Sequence, residues 1–276
     1  MKLGVAATAP LGADVLQRLA ADHDVRFLLT RPNRPRGRGR KLGAPPAKQA
    51  AERLGIEVRQ PERLDESTDL GDVEAIVVAA YGALIPESLL ERALWLNVHP
   101  SLLPRWRGAA PVERAIMAGD RETGVTIHRT TRELDAGPIA AQAAFPIEPE
   151  DDAGSVYEIA GPVAVELLRD VLSGTPDFRP QPEEGATYAE RLTAADRELD
   201  WSRPPEELLN RIRALSPHIG ARGPVHGRVL TVWRAAPARP DSALTAGGLE
   251  LLEVQPEGRR RMTGEEYLRG LRGSRS

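Results

Sequence analysis

Short apolar runs alternate with amphipathic stretches through the first two-thirds of the chain. The apolar runs have the length of strands, and the stretches between them repeat apolar residues at the spacing of a helix. The predicted strands are 2–7, 25–30, 56–59, 73–80, 94–98, 125–129 and 139–146. The predicted helices are 13–21, 47–54, 86–93, 112–118 and 156–172. This alternation predicts an α/β domain with a mostly parallel sheet that is covered by helices on both faces.

The last third of the chain has a different pattern. Residues 174–203 are rich in proline and charge and show little periodicity, which is typical of a linker. A helix is predicted at 206–215, and short β-like runs at 228–234 and 249–254 lie among turn residues. The chain is therefore predicted to divide into a domain at 1–178, a linker at 179–203 and a small, mostly β domain at 204–276.

Composition excludes several kinds of chemistry. The 276 residues include no cysteine, which rules out disulfides, thiolate catalysis and cysteine-ligated metals. We expect no bound metal, because four of the five histidines lack metal-ligand spacing and are interpreted as structural or exposed. These four are His23, His128, His218 and His226. The net charge of −3 gives no overall indication of nucleic acid.

The N-terminal residues bear on location and on cofactor. The first apolar run ends at Pro10 and is read as a strand rather than a signal peptide, and no apolar run approaches the ~20 residues of a membrane span. We therefore expect a cytoplasmic protein. Ala6-Ala7-Thr8-Ala9 follows the first strand where a dinucleotide-binding protein would carry its glycine triplet, which disfavours a nicotinamide cofactor.

An amide and an imidazole stand at the end of the predicted strand 94–98. Asn97 and His99 are two residues apart, so their side chains point to the same face of the sheet. Open α/β sheets bind ligands at the carboxyl ends of their strands. The amide can stabilise a developing oxyanion and the imidazole can handle a proton, so the pair fits acyl-group chemistry. The alternative is a strand-end asparagine in a turn beside a histidine that is bonded to backbone.

Asp135 lies in Leu134-Asp135-Ala136-Gly137-Pro138, which by itself is a turn sequence. A functional role for its carboxylate requires a partner. If it lies beside His99, it favours the imidazolium form and fixes the tautomer of the ring.

Six cations without an acid lie between Arg31 and Lys41. They are Arg31, Arg34, Arg36, Arg38, Arg40 and Lys41. A solvated flexible loop would account for them. A mobile segment that binds a nucleic-acid backbone would also account for these cations, since arginine contacts phosphate and glycine lets a loop adapt. The position directly after the second strand favours the segment that binds nucleic acid, because it is near the edge of the sheet where the site is expected.

These segments together resemble the formyltransferases that use 10-formyltetrahydrofolate. The resemblance is carried by residues 97–111, by Glu122-Thr123-Gly124-Val125-Thr126-Ile127 and by Leu134-Asp135-Ala136-Gly137. Within that family the chain is most similar to the methionyl-tRNA formyltransferases, on the evidence of residues 34–42, 186–192 and 255–258. The match covers nearly the whole chain.

The resemblance implies roles for particular residues. Asn97, His99 and Asp135 match the catalytic trio of the family. The residues implied to contact folate are Ser101, Leu102, Leu103 and Pro104, together with Tyr81, Gly82, Ala83 and Leu84 in the wall of the pterin pocket. The residues implied to bind tRNA are Arg34, Arg36, Arg38, Arg40 and Lys41. The implied fold is a Rossmann-like catalytic domain at 1–178 followed by an OB-like β-barrel at 204–276 that helps to hold tRNA.

The chain also departs from the family. Thr8-Ala9-Pro10-Leu11-Gly12 stands where the family usually has an aromatic residue, in the region of the methionine pocket. Little sequence separates Trp233 from Leu249, so a shortened barrel is expected.

The implied reaction moves a formyl group from N10 of the folate to the α-amine of methionine on initiator tRNA. A protonated His99, its pKa raised by Asp135, and the amide of Asn97 are expected to stabilise the oxyanion; no metal is needed. We expect a monomer that does not bind membranes. Two alternatives remain open. A sugar-nucleotide N-formyltransferase would share the trio and the folate but have no use for the arginine-rich segment. The other is a catalytically silent RNA-binding homologue.

Overall fold

Strands and short helices alternate through most of a computed structural model that describes residues 1–36 and 41–273. The strands are β1 (Lys2–Ala7), β2 (Asp24–Leu29), β3 (Arg34–Arg36), β4 (Lys41–Gly43), β5 (Glu57–Arg59), β6 (Ala75–Ala79), β7 (Leu94–His99), β8 (Arg107–Gly108), β9 (Glu122–Arg129), β10 (Ile139–Pro146), β11 (Tyr188–Ala189), β12 (Ala221–Val225), β13 (Arg228–Pro237), β14 (Thr245–Ala246), β15 (Leu249–Pro256) and β16 (Met262–Thr263). The helices are α1 (Pro10–Asp22), α2 (Pro46–Leu54), α3 (Glu87–Leu90), α4 (Pro111–Met117), α5 (Ala153–Leu172), α6 (Pro205–Leu215) and α7 (Gly264–Gly273), with a 3-10 turn at Ala195–Arg197.

The central sheet is mostly parallel, as the alternation predicts. Its strand order is β10-β9-β7-β6-β1-β2-β5. The pairs from β5 through β2, β1 and β6 to β7 are parallel, and β9 runs antiparallel to β7. The carboxyl ends of β6 and β7 therefore lie side by side, with Ala79 opposite Val98.

Two apolar layers cover the two faces of this sheet. Alternate residues of β1 divide between them: Leu3 and Val5 pack with α1, α2 and α5, whereas Ala6 packs with Phe27 and Trp95 on the other face. Because side chains alternate along a strand, Asn97 and His99 of β7 lie on the same face as Trp95. Asn97 and His99 therefore lie at the carboxyl end of β7, where the apolar layer on this face ends.

The last part of the chain forms a curled, antiparallel half-barrel. Its strand order is β12-β13-β15-β14, and β16 pairs with a further stretch of β15, at Glu253 and Val254. Helices α6 and α7 pack Leu208 and Tyr267 against Leu230 and Leu251 of this sheet. The expected shortened β domain is confirmed as this half-barrel.

Several elements differ from the sequence prediction. The pattern did not predict β3, β4, β8, β11, β12, β14, β16 or α7. The helix predicted at 86–93 is the short α3, Glu87–Leu90.

The chain divides into two compact units. The first consists of Met1–Pro111, Thr123–Phe145 and Tyr157–Ala189, and the second of the remaining residues. The domain boundaries predicted at 178 and 203 stay a prediction. Over residues 1–36 and 41–273, no helix combines the length and hydrophobicity needed to traverse a bilayer.

Candidate active site

The side chains of Asn97 and His99 meet a second pair of polar side chains on the neighbouring strand. In the antiparallel pairing of β7 with β9, Asn97 lies opposite His128 and His99 lies opposite Thr126. Thr126 and His128 are both buried. Two strands with apolar surroundings therefore contribute four polar side chains to one face.

Asp135 completes the group from the turn that follows β9. Its Oδ1 accepts a hydrogen bond from Nδ2 of Asn97 at 3.0 Å, and its Oδ2 accepts one from the backbone N–H of Gly108 at 2.9 Å. Nδ1 of His99 lies 3.6 Å from Oδ2, and the Asp135 side chain is only 9% exposed. The structure thus brings together the three residues that were predicted as the catalytic trio.

The two nitrogens of His99 have different partners. Nε2 lies 2.8 Å from the carbonyl oxygen of Trp106. A carbonyl can only accept, so Nε2 carries a hydrogen. Nδ1, which faces Asp135, is then the nitrogen that gains or loses the titrating proton.

Burial governs the charge of His99. Loss of solvent lowers the pKa of His99, and this effect outweighs the Asp135 carboxylate, which raises it. Asp135 thus raises the pKa of His99, as expected, but the net shift is downward, which favours the neutral ring over the expected imidazolium. Burial alone would raise the pKa of Asp135, but His99, His128 and the Gly108 N–H together hold it below its usual range.

His128 is a site residue that its sequence pattern did not reveal. Its Nε2 accepts a hydrogen bond from Nδ2 of Asn97 at 3.1 Å, and its Nδ1 lies 3.1 Å from the carbonyl of Arg129, to which it donates. Nε2 also lies 3.6 Å from Oδ1 of Asp135. Both amide hydrogens of Asn97 are therefore used within the protein. The available signal was Thr126 and His128 at alternate positions of an otherwise apolar strand.

Three consecutive carbonyls fix the loop that follows β6. Those of Ala80, Tyr81 and Gly82 accept hydrogen bonds from the Ala9 N–H (3.3 Å), the Thr8 hydroxyl (2.8 Å) and the Arg31 guanidinium, respectively. Tyr81 is buried, whereas the side chain of Leu84 is 85% exposed. Within the described chain, the N–H groups of 82–84 have no protein acceptor. This loop therefore presents free donors beside the end of β7.

The segment 101–104, which follows β7, is held from β9 and β10. The carbonyl of Ser101 accepts from the Thr126 hydroxyl at 2.6 Å, and the N–H of Leu103 donates to the same hydroxyl at 3.1 Å. Gln142 donates to the Leu103 carbonyl at 2.9 Å. Ser101 and Leu103 are buried, and Leu102 and Pro104 are partly exposed. The predicted folate segment is thus a rigid continuation of the strand that bears His99.

Left-handed backbone is concentrated around these loops. Ala80, Trp106 and Asp135 have φ values of 47°, 63° and 50°, and in the described chain the one other non-glycine residue with positive φ is His226. Such conformations are costly for residues other than glycine and cluster at functional sites. Their positions here border the group formed by Asn97, His99 and Asp135.

The arginine-rich segment has strand-like arms instead of the predicted loop. Arg34 and Arg36 lie on β3, which pairs with β4 so that Arg36 faces Lys41. Arg38 and Arg40 lie outside the described residues. The base of this hairpin is fixed by Gln60, whose amide donates to the Arg31 carbonyl at 2.7 Å.

The comparison with known proteins decides the family. A family model described as formyl transferase matches residues 5–172, and one described as the formyl transferase C-terminal domain matches 191–248. The chain belongs to the formyltransferase family. A methionyl-tRNA formyltransferase of Paracoccus denitrificans is 41% identical to this formyltransferase, with 96% of this chain and 95% of the relative covered.

Solved structures share the fold of this formyltransferase at low sequence identity. The methionyl-tRNA formyltransferase from Clostridium thermocellum has a TM-score of 0.64 at 15% identity, over 93% of this chain and 98% of that one. An N-formyltransferase from Helicobacter canadensis, in complex with folinic acid and dTDP-3-aminofucose, has a TM-score of 0.67 at 18% identity, over the same shares of the two chains. Both confirm the α/β fold with its C-terminal sheet.

Replacing Asp135 by asparagine tests whether its charge acts on His99. The Asp135 carboxylate raises the pKa of His99 against the effect of burial, so Asp135→Asn should lower that pKa further. Titration of the His99 imidazole by NMR in both proteins measures the change, and the His218 resonance, from the second compact unit, serves as the internal control. An unchanged or higher His99 pKa would show that the two side chains are not coupled.

Proposed function

We propose that this formyltransferase transfers the formyl group of 10-formyltetrahydrofolate to the α-amine of methionine on initiator tRNA. The observation that carries the proposal is the buried contact of His99 with Asp135, beside Asn97, at the end of β7. This arrangement can move a proton during acyl transfer. Relatives that match nearly the full chain are named methionyl-tRNA formyltransferase, which supplies the acceptor.

His99 handles the proton in this reaction. Burial keeps the ring neutral at rest, so Nδ1 can accept the proton that the amine loses as its nitrogen bonds to the formyl carbon. The imidazolium formed in this way lies 3.6 Å from the Asp135 carboxylate, which stabilises it. His99 then returns the proton to N10 as the bond between N10 and the formyl carbon breaks. The proton of the amine ends on N10, and the electron pair of the broken bond also stays on N10, so no further reactant is needed.

Asn97 stabilises the charge that gathers on the formyl oxygen. One of its amide hydrogens binds Asp135 and holds the amide plane, while the other is given to His128 at rest. We assign the second hydrogen to the oxyanion, which would replace Nε2 of His128 as its acceptor. A single donor of this kind is typically worth about 3 kcal/mol in the transition state.

The folate substrate fits the two loops at the ends of β6 and β7. In the loop Tyr81, Gly82, Ala83 and Leu84, the N–H groups of 82–84 have no acceptor within the described chain, and such donors suit the hydrogen-bonding edge of a pterin. The segment Ser101, Leu102, Leu103 and Pro104 offers an adjacent apolar wall. When bound, 10-formyltetrahydrofolate supplies the activated formyl group, and these residues bind and orient it.

The hairpin formed by β3 and β4 is assigned to tRNA. The sequence segment that contains this hairpin concentrates positive charge, from Arg34, Arg36, Arg38, Arg40 and Lys41, in a chain whose net charge is −3. Such a segment suits a phosphate backbone. In this proposal residues 1–178 are catalytic, residues 204–276 help to hold tRNA, and the protein acts as a cytoplasmic monomer.

The choice of acceptor tests the proposed function. Single-turnover formylation should be fast with methionyl initiator tRNA and 10-formyltetrahydrofolate, and undetectable with an amino-sugar nucleotide at the same concentration. Uncharged tRNA, which lacks the α-amine, is the matched control. Formylation of the sugar nucleotide alone would assign the protein to the sugar N-formyltransferases, and tRNA binding without any transfer would indicate a silent RNA-binding homologue.

Removal of either catalytic side chain should slow the chemical step. His99→Ala and Asn97→Ala are each expected to lower the single-turnover rate by about 10²-fold or more, in the range of acid–base and oxyanion groups. Equilibrium folate binding should stay within about twofold, because neither side chain is assigned to the folate. A variant with nearly the wild-type rate would show that the substituted residue has no part in catalysis.

Neutralising Arg38, Arg40 and Lys41 should weaken tRNA binding in a salt-dependent way. For Arg38→Ala/Arg40→Ala/Lys41→Ala, the log–log slope of tRNA affinity against salt should flatten by about 0.9 for each duplex-like phosphate that the variant no longer neutralises. Folate affinity should not change. A triple variant of the exposed Arg26, Arg53 and Arg63 removes the same charge elsewhere and should keep the wild-type slope. Equal slopes in all three proteins would contradict the assignment.

A further inference from the structure

One glutamine, Gln181, bonds to both loops that surround the trio. Its Nε2 donates to the carbonyl oxygens of Asp135 at 2.8 Å and Gly137 at 2.7 Å. Its Oε1 accepts from Nε of Arg107 at 3.0 Å. The amide NH₂ group of Gln181 therefore donates twice and its oxygen accepts once, which fixes the orientation of the amide. Within the described chain, these hydrogen bonds of Gln181 reach the backbone of Asp135 and Gly137 and the side chain of Arg107, and none goes to a side chain of the trio.

On one side, Gln181 adds two hydrogen bonds to the turn that carries Asp135, which otherwise has the backbone bonds from Ala136 to Glu133 (3.4 Å) and from Arg129 to Pro138 (2.9 Å). Asp135 has a left-handed φ of 50°, which requires external support in a residue other than glycine. Gly137 runs so close to the Arg129 carbonyl that a Cβ atom would lie 1.8 Å from its oxygen. The direction in which the Asp135 carboxylate points depends on this backbone, and Gln181 binds the carbonyl of Asp135 itself.

On the other side, Gln181 holds the loop that supplies a donor to the same carboxylate. Arg107 is 3% exposed, and in the described chain its Nη2 atom has no hydrogen-bond partner, so Gln181 is what fixes this guanidinium. The next residue, Gly108, donates its N–H to Oδ2 of Asp135. The glutamine amide therefore ties the backbone of Asp135 to the loop that binds its carboxylate.

The segment that carries Gln181, residues 179–189, is itself anchored at both ends. Arg179 exchanges two backbone hydrogen bonds with Ile139, at 2.7 and 2.9 Å. Thr187 accepts from the N–H of Arg107 and, through its hydroxyl, from the N–H of Trp106, both at 2.9 Å. Trp106 is the residue whose carbonyl binds His99. The segment thus supports the backbone around both His99 and Asp135.

We propose that Gln181 is a positioning residue for formyl transfer, which sets the Asp135 carboxylate against His99 and the Gly108 N–H. This inference rests on the proposed function, because it assigns a role relative to the trio. Misplacement of a catalytic group by about 1 Å can cost about 10²-fold in rate. Loss of the Gln181 amide should therefore lower the rate of the chemical step and leave substrate affinity unchanged.

Two substitutions separate the hydrogen bonds of Gln181. Gln181→Met keeps the length of the side chain and removes every hydrogen bond, whereas Gln181→Glu keeps an acceptor for Arg107 and removes both donors to the turn. The single-turnover rate should fall by about 10-fold or more in each variant, with the folate Kd within about twofold of wild type. The NMR-measured pKa of His99 should also fall in Gln181→Met, since the coupling to Asp135 weakens and no charge is added.

Each other outcome is informative. A wild-type rate in Gln181→Glu, or a wild-type rate and His99 pKa in Gln181→Met, would show that the hydrogen bonds to the turn are not needed, and would overturn the proposal. Loss of folate affinity or of a cooperative unfolding transition in both variants would show a merely structural role and would also overturn it. Glu184→Gln, an exposed position on the same segment, is the matched control and should behave as wild type.

A parallel measurement on His99→Ala keeps the two levels of inference apart. If His99→Ala retains the wild-type rate, the proposed function of the trio fails. If His99→Ala loses activity while Gln181→Met and Gln181→Glu do not, the trio stands and the role of Gln181 fails.

Discussion

The site is organised around one constraint: the buried carboxylate of Asp135 needs hydrogen-bond donors and positive charge close to it. An ionised side chain removed from water costs several kcal/mol unless nearby donors compensate it. Asp135 obtains those donors from Asn97 on β7 and from the backbone of Gly108, while His99 and His128 each lie 3.6 Å away. Two strands and two loops must therefore meet at one point for the charge to be stable.

The same arrangement sets His99 between two opposing influences. Burial removes charge from the ring at rest, and Asp135 stands ready to stabilise the charge once it forms. A ring held neutral but next to a carboxylate can accept a proton and release it again within one reaction cycle. A solvent-exposed His99 would not be kept in the neutral form by burial, and a His99 without Asp135 would lack the carboxylate that stabilises the imidazolium.

Local pattern predicts part of this structure and long-range pairing decides the rest. Apolar runs predicted β1 and β10 with their observed bounds, and strand alternation placed Asn97 and His99 on one face. His128 enters the site only because β9 pairs antiparallel with β7 in a particular register, which no local pattern contains. The balance of burial over charge at His99 likewise depends on packing. Gln181 lies in a stretch without periodicity, so only its three-dimensional contacts reveal it.

The central claim is that His99 and Asp135 act as one unit, and a double-mutant cycle tests it directly. The single-turnover rates of wild type, His99→Ala, Asp135→Asn and the double variant provide the cycle. If the carboxylate works through the imidazole, Asp135→Asn should cost little more once His99 is absent, so the double variant should match His99→Ala. If the two losses multiply instead, the residues act independently and the account of the site is contradicted.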